Sequence, residues 1–471
     1  MRILQATAEY YPYSKTGGLA DMVAGLSGAL VASSEEVTVV TPLYRGVREQ
    51  APEIKAYGSE FKIPLGDNTF VGRWWKIQAE SGVTVLFLEN DEFYNRPGLY
   101  MSGPDGYWDN PERFMFLSKA VVRIASEYDV VHVHDWQTAF VPMLLKFAEA
   151  KNTSGTVLTV HNLAYQGQCE GNRFGITNLP SKYFDREGPE LWGSMNFLKA
   201  GLHYADHITT VSPKYAQEIL TAEFGEGLEG VLQSRLGNLA GILNGVDYRE
   251  WNTINNPHLP AAYNTHDFTG KFECKRALQT ELGLPPKDAP LFGSISRLAY
   301  QKGIDVMIDA LEKLLCENSL QVVVLGSGEK GLSDRLVGLC RKHTDSIRFV
   351  EGYNDRLAHL IEAGSDFFLM PSRFEPCGLN QLYSLRYGTL PIVHGVGGLD
   401  DTVEDMENEG GNGYKFYGLS AHNLCQAIRR SLLLYDEKNR LNSIKSAAMQ
   451  LDYSWANAVK AYQNIYSNCS Q

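Results

Sequence analysis

Residues 371–379, Pro-Ser-Arg-Phe-Glu-Pro-Cys-Gly-Leu, place one carboxylate, Glu375, between an apolar run and a helical pattern. The apolar run at 366–370 predicts a parallel strand, and open α/β sheets bind ligands at the carboxyl ends of such strands. Gly378 allows the backbone to approach a ligand closely, and the amides that begin the next helix suit a phosphate. The segment therefore suggests a sugar held by Glu375 and a phosphate held by amides. A solvated loop glutamate is the alternative.

Two cations follow a second predicted strand, at residues 291–296. Arg297 comes directly after this run, and Lys302 and Gly303 begin the helical pattern that follows. The planar fork of an arginine and the point charge of a lysine can together clasp a diphosphate. The alternative is a pair of surface cations. It is disfavoured because cations at a helix N-terminus oppose the helix dipole unless an anion binds there.

A glycine pair, Gly17 and Gly18, follows Lys15 just after the first predicted strand. Such a pair at the start of a helix offers free amides to a phosphate, and Lys15 adds a positive charge. A glycine pair is equally typical of an ordinary turn. The motif therefore supports a phosphate site only in combination with the Arg297 and Glu375 segments.

Two further polar segments end strand patterns, 132–136 (His-Val-His-Asp-Trp) and 161–167 (His-Asn-Leu-Ala-Tyr-Gln-Gly). A carboxylate such as Asp135 and an imidazole such as His161 at neighbouring strand ends can bind sugar hydroxyls or stabilise charge near an anomeric carbon. Polar residues that only satisfy the loop backbone are one alternative. Metal ligation by His132, His134 and His161 is another, disfavoured because the chain has no Asp-x-Asp pair.

The elements that must position these residues alternate between strand and helix, which predicts an α/β fold with doubly wound parallel sheets. The pattern occurs twice, and an Asn-Gly pair near 244–247, which is typical of a turn, separates the two halves. We therefore expect domains at 1–244 and 245–453. A last amphipathic helix, within 454–471, is expected to cross back to the first domain. The pattern of residues 195–204 also predicts a helix.

The bulk composition restricts the partners. The chain has 471 residues, 44% of them hydrophobic, and a net charge of −12, which argues against nucleic acid and anionic membranes. No apolar run is long enough to span a bilayer, and the N-terminus begins directly with a strand pattern rather than a signal peptide. Seven scattered cysteines without a Cys-x-x-Cys pair indicate reduced thiols. We therefore expect a cytoplasmic protein.

Taken together, the motifs resemble the bacterial glycogen synthase and starch synthase family of ADP-glucose-using, retaining glycosyltransferases. The resemblance covers essentially the whole chain and is carried by segments 15–21, 134–136, 161–167, 199–201, 244–247, 296–303 and 371–379. It implies two Rossmann-like domains that face each other across a deep cleft (the GT-B type). It further implies glucose transfer from ADP-glucose to the non-reducing end of an α-1,4-glucan, with no metal and no cofactor.

The resemblance also implies roles for individual residues. Arg297 and Lys302 would bind the diphosphate, Glu375 and His161 the donor glucose, and Asp135 would lie near the reacting centre. The remaining donor-binding residues would be Lys15, Gly17, Gly18, Cys377, Gly378, Leu379 and, stacked on the adenine, Tyr353.

Two positions differ from patterns known in related transferases, and two alternative functions stay open. Tyr383 stands where many retaining two-domain transferases carry a second glutamate, as it does in the synthase branch, and Asn380 stands where bacterial synthases usually carry threonine. The alternatives are another retaining two-domain glycosyltransferase that uses UDP-glucose, and a catalytically silent glucan-binding paralogue.

Overall fold

The chain forms two compact units in the computed structural model, which describes residues 1–103, 106–148 and 154–469. Unit 1 comprises Met1–Gly245 and Trp455–Gln471, and unit 2 comprises Val246–Ser454. Residues 470 and 471 of the predicted returning segment lie outside the described residues. No helix in the described ranges is long and apolar enough to cross a membrane.

The described residues of unit 1 form twelve strands in two sheets. The strands are β1 (Arg2–Ala6), β2 (Glu36–Pro42), β3 (Lys55–Leu65), β4 (Asn68–Gln78), β5 (Thr84–Glu89), β6 (Val130–His134), β7 (Gly155–Val160), β8 (Gln168–Glu170), β9 (Glu190–Leu191), β10 (Ser194–Asn196), β11 (His207–Thr210) and β12 (Leu239–Gly241). The main sheet has the order β12-β11-β7-β6-β1-β2-β5-β4-β3, and the small sheet has the order β8-β10-β9.

The helices of unit 1 that precede residue 246 cover the main sheet or connect its strands. They are α1 (Gly18–Ala32), α2 (Val47–Gln50), α3 (Asp91–Tyr94), α4 (Asn110–Ile124), α5 (Asp135–Thr138), α6 (Phe140–Lys146), α7 (Phe197–Tyr204), α8 (Pro213–Glu218) and α9 (Glu229–Ser234).

Unit 2 has one parallel sheet with helices on both faces. Its strands are β13 (Leu291–Ile295), β14 (Gln321–Gly326), β15 (Ile347–Glu351), β16 (Phe367–Met370), β17 (Leu390–His394) and β18 (Tyr414–Phe416), in the order β15-β14-β13-β16-β17-β18. Its helices are α10 (Thr269–Glu281), α11 (Ile304–Glu317), α12 (Lys330–Lys342), α13 (Asp355–Gly364), α14 (Asn380–Arg386), α15 (Gly397–Thr402), α16 (Ala421–Asp436) and α17 (Lys438–Met449).

Strand β14 shows why the sequences of these strands are unbroken apolar runs. Val322 and Val324 belong to the core on one face of the sheet, and Val323 and Leu325 to the core on the other. Successive side chains of a strand point to opposite faces, so a strand covered on both sides needs apolar residues at every position. The predicted α/β class with two parallel-sheet domains is confirmed.

Two local predictions were incomplete. The unit 1 sheet has an antiparallel edge, because β4 pairs antiparallel with both β3 and β5. The predicted helix at 195–204 was wrong over its first two residues, which belong to β10 and pair with β8. Helix α7 starts only at Phe197, where the Asn196 side chain accepts a hydrogen bond from the Lys199 N–H at 2.9 Å and caps the helix.

The last helix, α18 (Trp455–Cys469), packs on unit 1. Its buried side chains, which belong to the unit 1 core, are Trp455, Ala458, Val459, Tyr462 and Tyr466. The Trp455 indole occupies space that Gly25 leaves open in α1, because a Cβ on Gly25 would lie 2.1 Å from the indole nitrogen. Tyr466 Oη also lies 2.8 Å from His132 Nδ1 in β6.

Candidate active site

In unit 2 the chain reverses its direction of travel across the sheet between β13 and β16, which are adjacent. This is the topological switch point of a doubly wound sheet, the place where such sheets bind ligands. The loop after β13 carries Arg297 and Lys302, and the loop after β16 carries Glu375. Strand order thus brings together three predicted site residues that are far apart in sequence.

Lys302 and Glu375 form an ion pair at this switch point. The Lys302 Nζ lies 2.5 Å from Glu375 Oε2, and the Ser372 hydroxyl donates to the same oxygen at 3.0 Å. Glu375 is only 6% exposed. The carboxylate is therefore fixed by one cation and one hydroxyl, and burial of the pair strengthens their attraction relative to a surface pair.

The two loops are fixed to each other as well. The backbone at Gly303 has φ +64°, and a Cβ there would lie 1.9 Å from the Pro371 carbonyl oxygen, so only glycine fits this approach. The Arg373 guanidinium makes two bonds to the Asp305 carboxylate, at 2.7 and 2.8 Å. These contacts hold the Lys302 turn against the Glu375 loop.

The remaining predicted residues of unit 2 differ in exposure. Arg297 is exposed and forms no hydrogen bond or ion pair with any residue in the described ranges, which leaves its guanidinium free for an anion. Tyr353 is 68% exposed, and its hydroxyl donates to Asp355 Oδ1 at 3.0 Å. Cys377 is buried, whereas Gly378 and Leu379 are partly exposed. The Gly398 N–H donates to the Glu375 carbonyl at 3.1 Å, so the start of α15 holds the backbone of the Glu375 loop.

Unit 1 has its own switch point, between β1 and β6. Lys15, Gly17 and Gly18 lie in the loop after β1 or at the start of α1, and all three are exposed. The Lys15 Nζ lies 2.8 Å from the Asp21 carboxylate. A buried carboxylate, Glu9, fixes this loop.

Glu9 is 3% exposed and accepts four hydrogen bonds. The donors are the N–H and the hydroxyl of Thr16, both at 2.6 Å, the Tyr100 hydroxyl at 2.7 Å, and the Gly17 N–H at 3.3 Å. Sequence reasoning missed Glu9, because it lies at the end of an apolar run without a motif around it. A buried acid beside a glycine-rich loop was the signal available.

Asp135 and His161 meet at the other side of the same switch point. Asp135 follows β6 with φ +54°, an uncommon conformation for a residue with a side chain, and its Oδ1 accepts the His161 N–H at 2.7 Å. Burial raises the pKa of Asp135 to about 7, although backbone N–H groups of His161 and Asn162 offset part of that rise. The carboxyl group is thus poised to exist in both protonation states near neutral pH.

The three histidines of this region are neutral and hydrogen-bonded. Burial lowers the pKa of both His132 and His161 to about 3. His134 Nδ1 lies 3.1 Å from His161 Nε2, and His134 Nε2 lies 3.1 Å from Gln5 Oε1. The nitrogens of His132 face Tyr466 and Thr159, at 2.8 and 2.6 Å. Within the described ranges these rings do not converge on a common point, so the metal alternative gains no support here.

An open depression of about 860 Å³ in unit 1 is lined in part by Trp136 and by residues 164–167, which follow Asp135 and His161 in the chain. We call it the aromatic depression; its lining includes Trp108, Trp136, Tyr165, Gln166, Trp192 and Glu226. Trp108 and Trp192 are each 77% exposed. Exposed aromatic faces with a few polar groups among them are typical of ligand-binding surfaces.

Comparison with known proteins gives one family for the whole chain. A family model described as "Starch synthase catalytic domain" matches residues 2–234, and one described as "Glycosyl transferases group 1" matches residues 278–448. Glycogen synthases of Myxococcus xanthus and Cellvibrio japonicus are 42% and 43% identical to the chain. Each alignment covers 99% of this chain and 99% of the relative. The chain belongs to the glycogen synthase family. The resemblance seen in the sequence is thereby confirmed, as is the assignment to glycosyltransferases.

Solved structures agree with this family at the level of the fold. The catalytic domain of starch synthase IV from Arabidopsis thaliana, bound to ADP and acarbose, matches with a TM-score of 0.91 and 31% identity, covering 100% of this chain and 99% of that one. A sucrose-phosphate synthase from Thermosynechococcus elongatus matches with a TM-score of 0.61 and 17% identity, which shows a shared fold only. The predicted fold of two parallel-sheet domains, like those of the GT-B class, is confirmed for each unit.

Structural contacts explain the residues at positions 380 and 383. The Asn380 side-chain amide donates to the Ile295 carbonyl at 2.6 Å, which joins the start of α14 to the end of β13. Tyr383 stacks on Trp251 with ring centroids 3.7 Å apart and an interplanar angle of 3°. Tyr383 therefore fills a packing position, and Asn380 supports the strand end that leads to Arg297.

Proposed function

We propose that this chain is a glycogen synthase that transfers glucose from ADP-glucose to the non-reducing end of an α-1,4-glucan, with retention of the anomeric configuration. The observation that carries the proposal is the end-to-end similarity to glycogen synthases, at 41–43% identity over 99% of their length. We further propose that the protein is cytoplasmic and needs no cofactor.

The donor is bound chiefly by unit 2. Arg297 and Lys302 neutralise the diphosphate, Tyr353 stacks on the adenine, and the loop of Cys377, Gly378 and Leu379 lies along the phosphates and the sugar. Glu375 accepts hydrogen bonds from glucose hydroxyls. The support is that Arg297 has a free guanidinium and that Lys302 and Ser372 hold the Glu375 carboxylate in one position. A preorganised carboxylate loses little freedom when it binds a sugar.

Unit 1 contributes the remaining groups. Lys15 and the glycine pair Gly17 and Gly18 supply charge and amides to the donor, and His161 bonds to the donor glucose as a neutral ring. Asp135 lies near the reacting centre. Two features of Asp135 support this role, the raised pKa of its carboxyl group and its positive φ. Both kinds of feature are concentrated at functional sites.

Transfer proceeds by departure of the ADP β-phosphate oxygen from the anomeric carbon. The acceptor hydroxyl attacks the same face, its proton passes to the leaving phosphate oxygen, and a new α-1,4 bond forms as the old one breaks. Arg297 and Lys302 stabilise the negative charge that grows on the diphosphate, where fixed charges lower the barrier most. Glu375 stabilises the oxocarbenium-like sugar and forms no covalent bond to it.

The aromatic depression is proposed to bind the glucan acceptor. Trp108, Tyr165 and Trp192 present exposed ring faces on which glucose units can stack, and Gln166 and Glu226 provide polar groups for hydroxyls. Because the depression adjoins Trp136, the neighbour of Asp135, a glucan bound there ends close to the proposed reacting centre.

A donor comparison tests the function. Purified protein is incubated with a malto-oligosaccharide and either ADP-glucose or UDP-glucose, and chain elongation is followed by chromatography, with the new linkage assigned by NMR. We expect elongation through α-1,4 bonds with ADP-glucose as the better donor. Elongation only with UDP-glucose would contradict the donor assignment, and absence of elongation with either donor would indicate a silent paralogue.

A further inference from the structure

Three potential metal ligands converge in unit 2 at the start of α13. His258, Asp355 and His359 each offer one ligand atom, and these atoms all lie within 4.8 Å of one another. His258 Nε2 lies 3.7 Å from Asp355 Oδ2. Within the described ranges, this is the one group of three or more histidine, cysteine or acidic side chains with such spacing.

The helix geometry explains why two of the ligands share a face. Asp355 is the first residue of α13, and the side chain of Asn354 caps the helix by accepting the Leu357 N–H at 2.9 Å. His359 follows Asp355 by four residues, so the two side chains lie one above the other on the same side of the helix.

The third ligand is placed by the segment that precedes α10. The backbone N–H of His258 donates to Asn256 Oδ1 at 2.9 Å. The amide nitrogen of the same Asn256 lies 2.8 Å from Tyr387 Oη and 3.1 Å from His359 Nδ1. One buried asparagine therefore sets the position of both histidines.

One nitrogen of His359 is buried without a partner in the part of the chain that the structure describes. Its side chain is fully buried, and its Nε2 has no hydrogen-bond partner among the residues in the described ranges. A buried polar atom without a partner destabilises the folded state, so natural proteins rarely keep one without a reason. A cation at Nε2 removes this cost.

The surroundings of His359 match those of a metal-bound histidine. Its Nδ1 lies 2.8 Å from Tyr387 Oη, and its ring is stacked on Trp251 with centroids 4.1 Å apart. In the tautomer that leaves Nε2 free for a cation, Nδ1–H donates to the tyrosine oxygen. The two Asn256 amide hydrogens are then donated to Tyr387 Oη and to the Asn252 carbonyl, at 2.8 and 3.1 Å. Metal-bound histidines usually donate their second ring N–H in this way, which fixes the orientation of the ring.

We propose that His258, Asp355 and His359 bind one divalent transition metal of the zinc class, through the two Nε2 atoms and a carboxylate oxygen. Two imidazoles and one carboxylate suit zinc, cobalt or nickel, whereas magnesium and calcium prefer oxygen ligands. Bonds of about 2.0–2.1 Å in a tetrahedral site place the ligands roughly 3.3 Å apart, close to the 3.7 Å between His258 and Asp355.

The site requires little rearrangement and leaves a neighbouring contact intact. The side chains of His258 and Asp355 are 35% and 47% exposed, so they can close on a cation that the fixed His359 positions. A metal on Oδ2 leaves Asp355 Oδ1 to accept the Tyr353 hydroxyl, at 3.0 Å. The bound metal joins the segment before α10 to α13 and thereby stabilises unit 2. This inference does not depend on the proposed function.

Zinc titration of the full chain tests the site. The protein is stripped with a chelator, desalted and titrated with Zn²⁺ by calorimetry, and its melting temperature is measured with and without Zn²⁺, with Mg²⁺ as the comparison ion. We expect one Zn²⁺ to bind and to raise the melting temperature, and Mg²⁺ to do neither. Absence of Zn²⁺ binding would overturn the proposal.

Variants locate the bound ion. His258→Gln and Asp355→Asn change partly exposed side chains and should each lower the Zn²⁺ affinity by more than about tenfold. Tyr387→Phe, which removes the acceptor of Nδ1–H, should lower it by about 10–100-fold. His266→Gln, an exposed histidine of the same segment, is the matched control and should bind as the wild type does. Equal affinity in wild type, His258→Gln and Asp355→Asn would place the ion elsewhere, on a thiol for example, and would overturn the proposal.

Discussion

The Lys302 ammonium and the Glu375 carboxylate form an ion pair at 2.5 Å although 73 positions separate them in the chain. They come from loops after adjacent strands, and the pair is mostly shielded from solvent. The two cations that unit 2 contributes to the proposed donor site are therefore not equivalent. Lys302 orients Glu375 as well as facing the diphosphate, whereas Arg297 is free to act on the diphosphate alone.

Removal of either partner of the ion pair should impair turnover with the fold intact. Glu375→Gln keeps the shape but loses the charge that stabilises the sugar cation, and Lys302→Ala removes a stabilising charge and frees the carboxylate. We expect each to lower kcat by about 10²–10³-fold. Steady-state kinetics with ADP-glucose, together with circular dichroism, measure this. Lys330→Ala, which breaks an exposed ion pair with Asp334, is the control and should keep full activity. Near-wild-type turnover of Glu375→Gln would remove Glu375 from the site.

Arg297→Ala should lower kcat more than it raises KM for ADP-glucose. The negative charge that Arg297 meets grows as the diphosphate leaves, so its contribution is larger in the transition state than in the bound substrate. Arg297→Lys should restore only part of the rate, because a lysine cannot form the bidentate contact. A variant with higher KM and unchanged kcat would show that Arg297 serves ground-state binding only.

Turnover at saturating ADP-glucose should survive an excess of chelator. In the function proposed above, Arg297, Lys302 and Lys15 supply the positive charge that a divalent ion supplies to the diphosphate in many other transferases. The measurement is kcat before and after dialysis against EDTA, with and without added Mn²⁺. Loss of activity in EDTA and its recovery with Mn²⁺ would refute this arrangement of charges.

Asp135 should make the protein less stable as the pH rises from about 4 to about 7. Burial raises the pKa of this carboxyl from an ordinary 3.8 to about 7, so in that range the folded state binds a proton that the unfolded state has released. Stability falls with pH wherever the folded state binds more protons. The unfolding free energy of wild type minus that of Asp135→Asn should thus decline across this range and level off above it. A difference that is constant with pH would contradict the raised pKa.

Two glycines of α1 should respond in opposite ways to alanine. Gly25→Ala directs a methyl group into the Trp455 indole, and overpacking of this kind costs about 1–3 kcal/mol. Gly28→Ala meets only ordinary contact, 3.5 Å from Ser81, and should stabilise the helix by about 0.5–1 kcal/mol. Calorimetry gives the melting temperatures, and hydrogen exchange in α1 and α18 localises the effect. Equal effects of the two changes would indicate that α18 is not held by this contact.

The periodicity of the sequence predicted the sheets well because parallel strands are buried on both faces. The bounds of β6 and β16 follow directly from their apolar runs. The hairpin of β3 and β4 was missed because its outer strand is largely exposed and carries no apolar alternation over its first half. The start of α7 was missed because Met195 and Asn196 pair with β8, and such pairing overrides local helical preference.

For the candidate site, residue types were readable from the sequence but their partners were not. Loops at strand ends identified Glu375, Arg297 and Asp135, yet the pairing of Lys302 with Glu375 depends on β13 lying beside β16, which is a matter of strand order. Glu9 was missed because no motif surrounds it in the sequence, and its importance comes from the loop that folds over it. The site assignments stay predictions until the variants above are measured.

The return of α18 to unit 1 has a consequence for synthesis of the chain. Ribosomal synthesis runs from the N-terminus, and domains generally fold as units while they emerge. Residues 246–454 form a unit of their own, so unit 2 can fold once they have emerged. Unit 1, however, lacks Trp455, Tyr462 and Tyr466 of its core until the residues after unit 2 have emerged. The unit that is translated first is the one that is completed last, and during that interval the surface later covered by α18 is exposed to chaperones and proteases.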